Sequence, residues 1–362
     1  DSTFTGVRVI EYYGYTDCIE LQNKTTRVVL CPAAGGRVLE YSIDGKNVLY
    51  LPPGSEGWKQ TTDNKRGRMH AGRFDIGPEK MVKRGRILWQ GPWRGEFTGD
   101  RSAQLTSEFD QESGVRLTRD FQLDKNSSRL ICKQTIANES NKPVSLCHWS
   151  RTFAVGGGIA VIPRSPRGRF PKGFVLYQEG NAITIDADDP NIQLSDEAVV
   201  VTGPPASPKL GFDSHVRWLA YLAPTDQLFV KRYRTFPDRA YNEFAALTAS
   251  VWYPQGDMVE MEPIGPAENL RPGEKANFTE EWWLMPHQFP ADVKNFDYAT
   301  IKRKVERNSQ PPAGGNRDVT SPVVNANQSV TFRVAGQNAS EVRVRVANQT
   351  RRMELNHDGV WE

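Results

Sequence analysis

The stretch 255–285, QGDMVEMEPIGPAENLRPGEKANFTEEWWLM, decides how this chain is read. In its first part Val259 and Met261 alternate with Glu260 and Glu262. Strand side chains switch faces at every residue, so two apolar groups point one way and two carboxylates the other. Pro263, Gly265 and Pro266 then interrupt the strand, and Leu270-Arg271-Pro272-Gly273-Glu274 supplies a second turn. A return strand through Glu280, Glu281, Trp282 and Trp283 completes the expected hairpin. Carboxylates beside a turn and two tryptophans offer acid–base groups and flat apolar faces, which is what a sugar site requires. An ordinary charged hairpin has the same composition.

Working outward, short alternating runs separated by turn residues fill most of the chain. Segments 7–13, 18–22, 27–31, 37–43, 103–109, 115–123, 129–136, 144–153, 217–222, 227–233 and 248–253 all read as strands. A helical stripe occurs in 292–307, DVKNFDYATIKRKVER, where Val293, Phe296, Tyr298, Ile301 and Val305 approach the i, i+3/i+4 spacing. The expected fold class is all-β, a large antiparallel β-supersandwich over 1–307, too long for an immunoglobulin-like sandwich of about 100 residues. Segment 308–318, NSQPPAGGNRD, is a linker by composition. Segment 319–362 reads as a partial immunoglobulin-like β module, whose few strands need a partner edge.

The 362 residues are 38% hydrophobic and 25% charged with a net charge of +3, which provides no basic stripe and argues against nucleic acid. No apolar run approaches the ~20 residues of a membrane helix. There is no HExxH, HxH or CxxC spacing, no GxSxG elbow and no phosphate loop, so neither a metal nor another cofactor is expected. Cys18 and Cys31 flank one hairpin-like segment and Cys132 and Cys147 another; pairing 18–31 with 132–147 is favoured over four buried thiols. The opening at Asp1 is read as a processed or trimmed form, and the protein is expected to be secreted or periplasmic.

Candidate site residues come from several stretches. Arg37, in GGRVLEYSI, is expected on one strand face with Leu39, Tyr41 and Ile43, where a charge needs a ligand or an ion-pair partner. His70 and Arg73 stand with Asp75 and Glu79 in a glycine-punctuated loop, a usual setting for binding residues. His148 lies in the apolar run SLCHWSRTF beside Trp149 and Arg151, and is either a catalyst or a satisfied core histidine. Lys231, in LFVKRY, and Tyr241, in PDRAYN, read as sugar contacts or as a solvated edge.

Together CPAAGGRVLEYSIDGKNVLY, HAGRFDIGPE, CHWSRTF, VEMEPIGP, LRPGE and EEWW resemble the galactose mutarotase-like (aldose 1-epimerase) superfamily, in a bacterial branch, over 12–285. The resemblance implies a supersandwich with a concave sugar-binding face. It also implies a histidine acting as general acid on the ring oxygen and a glutamate taking the anomeric hydroxyl proton. Carried over, His148 is the acid and Glu262 the base. Arg37, His70 and Arg73 then hold sugar hydroxyls, and the reading of the residues adds Trp149, Lys231, Tyr241, Glu260 and Trp282 to the expected sugar-binding set. RMHAGRFDIG departs from the family's more regular Asn-Arg/His-Gly-Gly pattern. The tail from Ser321 is similar to starch-binding-like modules, which implies polysaccharide degradation and a monomer within a longer multidomain chain. One alternative is a glycoside hydrolase or polysaccharide lyase acting on a plant or algal polysaccharide. It would use Glu260/Glu262 with Glu280 or Glu281, or Tyr241 with Arg239. Another is a non-catalytic carbohydrate-binding domain stacking sugars on Trp149, Trp282 and Trp283. The epimerase expectation requires that His148 and Glu262 converge on one face.

Overall fold

The computed structural model describes residues 3–61, 69–83, 86–166 and 168–309, then 323–324, 330–335, 339, 341–346, 349–355 and 360–362. Two large antiparallel sheets dominate, one of thirteen strands and one of ten. The expected all-β sandwich is therefore present. Across the middle of the larger sheet the order is Arg37–Ile43, Gly72–Gly77, Val144–Val155, Met258–Pro263, Ala249–Trp252, Lys209–Phe212 and Val175–Tyr177. The middle of the smaller sheet runs Trp218–Ala223, Gln227–Tyr233, Lys275–Pro286, Leu130–Asn138 and Val115–Leu123.

Alternation explains how the two layers meet. Val38, Phe74, Val251 and Met261 of the larger sheet join Phe121, Ile136, Phe229, Phe278 and Trp282 of the smaller one in a single buried core. Each such side chain contributes about 1.5–3 kcal/mol on full burial. The residues between them in sequence are consequently turned to the outer faces. On the outer face of the smaller sheet lies the helix Tyr298–Asn308, whose N-cap Asp297 accepts the Thr300 N–H at 3.1 Å. It buries Ile301 and Val305 against Trp218 and Val230, as the stripe in 292–307 predicts.

The stretch 255–285 is not a hairpin. Met258–Pro263 lies in the larger sheet, with Glu260 opposite Phe153. Lys275–Pro286 lies in the smaller sheet, with Trp282 opposite Lys231 and Glu280 opposite Cys132. The proline-flanked break carries the chain from one layer to the other, because proline cannot continue a sheet ladder. The segment between Cys132 and Cys147 makes the same kind of transfer, since Leu130–Asn138 and Val144–Val155 belong to different sheets. Cys132 and Cys147 therefore do not face each other, and all four cysteines are buried free thiols rather than the two expected disulfides.

After the helix, the described strands pair only with one another, in three two-stranded sheets. They touch the sandwich through ion pairs such as Arg352–Glu268 at 2.6 Å and Arg343–Glu274 at 3.4 Å.

Candidate functional site

The register of the larger sheet gathers an unusual set of side chains on its outer face. Trp149 stands opposite Asp75 and Arg151 opposite Arg73. Phe153 stands opposite Glu260, which in turn faces Trp252 on the next strand, and Trp252 faces Lys209 beyond it. Glu262, two residues from Glu260, shares this side. Apolar clusters flank the charges: Val29, Leu39, Met69 and Ala71 on one side, Cys147, Val175, Leu247 and Ile264 on the other.

The charges form a chain. Arg73 Nε lies 3.2 Å from Asp75 Oδ2, which also receives Arg151 Nη1 at 3.4 Å. Arg151 donates its Nη2 to Glu260 Oε2 at 3.0 Å and its Nε to the same carboxylate. Glu262 accepts the indole N–H of Trp149 at 2.5 Å and pairs with Lys209. The Arg151 guanidinium sits 4.2 Å from the Trp149 ring centre, and Lys209 lies 5.6 Å from the same ring. Glu260 and Glu262 are fully buried, whereas His70, Tyr177, Lys209 and Trp252 at the rim are half-buried.

Burial works against the charge on Arg151, but Glu260, Glu262 and Asp75 overcome it and raise its pKa. Burial likewise opposes ionisation of Glu260, yet Arg151, Lys209 and Arg73 hold its carboxyl below the usual range. Burial, with Arg151 next, brings Arg73 down to about 9. His70, packed 4.6 Å from the Phe153 ring, is brought down to about 4 by burial and then by Arg73, Arg37 and Arg151. Its imidazole is neutral at pH 7. Among the described residues, His70 Nδ1 and Asp75 Oδ1 are buried with no hydrogen-bond partner in the protein.

Arg37 lies behind this row. A bulge sets Val29 opposite Glu40 and Leu30 opposite Val38, so Tyr41 turns into the core while Leu39 stays outside. The expected common face of Arg37, Leu39, Tyr41 and Ile43 is thereby split. Fully buried, the Arg37 guanidinium donates to the carbonyls of Ala34 (2.6 Å), Trp89 (2.8 Å) and His70 (3.1 Å). It positions the His70 backbone from within the protein.

His148 is on the opposite side of the sheet. Its ring stacks between Phe74 (5.6 Å) and Phe278 (5.7 Å), and its Nε2–H donates to the Ala276 carbonyl at 3.2 Å. The expected His148–Glu262 pair is not assembled, because Glu262 shares its face with Trp149 and alternation turns His148 inward. Burial brings His148 down to about 4. A histidine depressed in the folded state stabilises above its unfolded pKa, and that stability is lost as pH falls from about 6.5 toward 4. His148→Phe, which keeps the stack, is expected to flatten part of this slope in urea midpoints compared at pH 7 and pH 5. His70, His215 and His287, which burial also lowers, contribute to the remainder. An unchanged slope would show that the His148 ring is not held neutral.

Lys231 and Trp282 are also inside the sandwich. Lys231 pairs with Glu280 at 3.0 Å, and the Trp282 indole N–H donates to Glu280 at 2.8 Å. Neither reaches the outer face, since Gln227–Tyr233 and Lys275–Pro286 turn these residues toward the larger sheet. Tyr241 lies in a loop and packs into the Cys147–Ile264 cluster, where its hydroxyl accepts the Phe236 N–H at 3.0 Å. The structure thus unites Glu260, Glu262, Trp149, Arg73 and His70, and separates them from His148, Lys231 and Trp282. It adds Arg151, Asp75, Lys209 and Tyr177. Period-2 spacing from Trp149 pointed to Arg151; nothing local marked Lys209 or Tyr177, which come from strands remote in sequence.

No family model matches this chain, and no curated protein matches it. Among solved structures, a galactose mutarotase-like protein from Lactobacillus casei superposes with a TM-score of 0.53 at 11% identity, covering 74% of this chain and 100% of that one. A galactose mutarotase-like protein from Clostridium acetobutylicum gives 0.52 at 10% identity, covering 79% and 100%. A galactose mutarotase related enzyme from Lactobacillus acidophilus gives 0.52 at 10%, covering 76% and 99%. The sandwich has the galactose mutarotase-like fold.

Proposed function

We propose that this chain binds a sugar on the outer face of the thirteen-stranded sheet, over Trp149 and the Arg73–Asp75–Arg151–Glu260 row. The observation that carries this reading is the pair of unpartnered buried polar atoms, Asp75 Oδ1 and His70 Nδ1, with the half-buried Tyr50 ring 5.9 Å from the His70 ring. A buried polar atom without a partner is costly, and a ligand hydroxyl removes that cost. A sugar presents hydroxyls at its edges and C–H groups on its faces, which suits a carboxylate, a neutral imidazole and the rings of Trp252 and Tyr177. The fold, shared with mutarotase-like proteins, supports the same choice. Titration of a panel of hexoses, followed by calorimetry or ligand-observed NMR, is the test. Asp75→Asn is expected to weaken binding about 10- to 100-fold, the effect of one hydrogen bond to a charged group. Absence of binding by any hexose to the wild type would overturn the proposal.

A second reading, exchange of anomers by a pair other than His148 and Glu262, is favoured by one contact: Glu262 and Lys209 place an acceptor and a donor together against Trp149. Ring opening requires a proton to leave the anomeric hydroxyl and one to arrive at the ring oxygen. Glu262 would take the first and Lys209 deliver the second. In exchange spectroscopy Glu262→Gln is expected to slow the protein-dependent rate by about 10²–10⁴, and His148→Phe to leave it unchanged. A rate insensitive to Glu262→Gln would remove this reading and leave sugar binding intact.

A further inference from the structure

Beyond the apolar cluster that packs Trp149 against Val175, Leu247 and Ile264 lies a second recess, and Tyr241 belongs to both. Its volume is about 720 Å³, within the usual range for small-molecule sites. Ser165, Arg169, Asp213, His215, Arg239 and Tyr241 line it. Tyr241 is set edge-on to His215, with ring centres 6.1 Å apart. His215 Nδ1 is buried with no partner among the described residues.

The charges around this recess do not balance. Arg169 pairs with Asp213 at 3.6 Å, and its Nη2 donates to the carbonyls of Ala245 (3.2 Å) and Ala246 (2.5 Å). Arg239 and Arg352 share one carboxylate, Glu268, at 2.8 and 2.6 Å. Of the side chains that line the recess, Arg169 and Arg239 are cationic against one carboxylate, Asp213, and Arg217 adds its field at His215. Excess positive charge with a neutral, unpartnered imidazole and a flat ring complements an anionic group carried on a sugar ring.

We propose that this recess is a subsite for an anionic sugar unit, bearing a carboxylate or a sulfate ester, in an oligosaccharide whose neighbouring unit lies over Trp149. The inference rests on the sugar-binding reading and specifies its substrate class: an acidic oligosaccharide, of which a neutral hexose fills only the Trp149 position. His215 hydrogen-bonds the unit, the Tyr241 ring walls it, and Arg169 attracts its anionic group.

Calorimetry on the whole chain with trigalacturonate, a sulfated galactotriose, neutral galactotriose and galactose tests it. At least one acidic trisaccharide is expected to bind about tenfold tighter than the neutral one, and which one identifies the anion. Arg169→Gln and His215→Ala, checked for folding by thermal melts, are expected to abolish that preference without changing galactose affinity. Equal affinity for all three trisaccharides, or a preference that survives both substitutions, would overturn the subsite while galactose binding upheld the Trp149 site. Failure of every probe, galactose included, would overturn both.

Discussion

Lys231→Ala is expected to cost about 3–5 kcal/mol of folding stability, the range seen when one partner of a buried ion pair is removed. Lys231 and Glu280 are both fully buried between the sheets, 3.0 Å apart. The Lys231 ammonium also donates to the Thr152 hydroxyl at 2.8 Å and the Ser150 hydroxyl at 3.3 Å, tying the two sheets together. Burial lowers the Lys231 pKa and Glu280 opposes that shift. Without the lysine, Glu280 keeps only neutral donors, the Trp282 indole at 2.8 Å and the Gln134 amide at 3.3 Å. The double change Lys231→Met with Glu280→Leu removes both charges and is expected to recover most of the loss. Urea unfolding of the wild type, the single and the double variant decides the matter, with m-values confirming comparable exposure on unfolding. A single-variant cost below about 1 kcal/mol would place this pair with weak surface ion pairs, against its burial.

Arg151→Met carries the second large effect, with a pH signature that a simple packing defect lacks. At neutral pH it leaves buried Glu260 without the guanidinium that holds both its oxygens, again a loss of about 3–5 kcal/mol. In the wild type Glu260 titrates below the ordinary 4.5 because the cations around it outweigh burial. Its stabilisation is therefore complete above the unfolded pKa and disappears as pH falls through the lower folded value. In the variant only Lys209 and Arg73 remain to oppose burial, so the carboxyl titrates higher than in the wild type and the variant loses less stability as pH falls. The difference between the two proteins should shrink steadily between about pH 7 and pH 4. Thermal melts across that range would show it, and a constant difference would assign the loss to cavity formation alone. Sugar affinity should fall with this variant even where folding is complete, because Arg151 also lies on the Trp149 ring.

Some of this was written plainly in the chain. Alternation of Val259 and Met261 with Glu260 and Glu262 puts both carboxylates on one side of a strand whatever it pairs with, and they do share the outer face. The apolar stripe of 292–307 likewise buries Ile301 and Val305. Both are local properties, with a period imposed by backbone geometry alone. The bulge after Arg37 marks the limit of that rule: one extra residue on a single strand moved Tyr41 and Ile43 into the core.

What the tertiary structure alone decided was which local faces meet. By alternation His148 and Trp149 must point in opposite directions; no local rule says which of them looks toward Glu262. That choice is made where Trp149 bridges Ile264, more than a hundred residues along the chain, with Glu262 on the same side two residues earlier. The stretch 255–285 shows the same division. Its carboxylates and its tryptophans each obey their own strand, but the break at Pro263 to Pro266 sends the strands into different sheets. Glu260 and Glu262 thereby reach the outer face, while Glu280 and Trp282 are sealed in the core. Long-range pairing depends on how all the apolar faces can be buried together, a property of the whole sandwich and of no single segment.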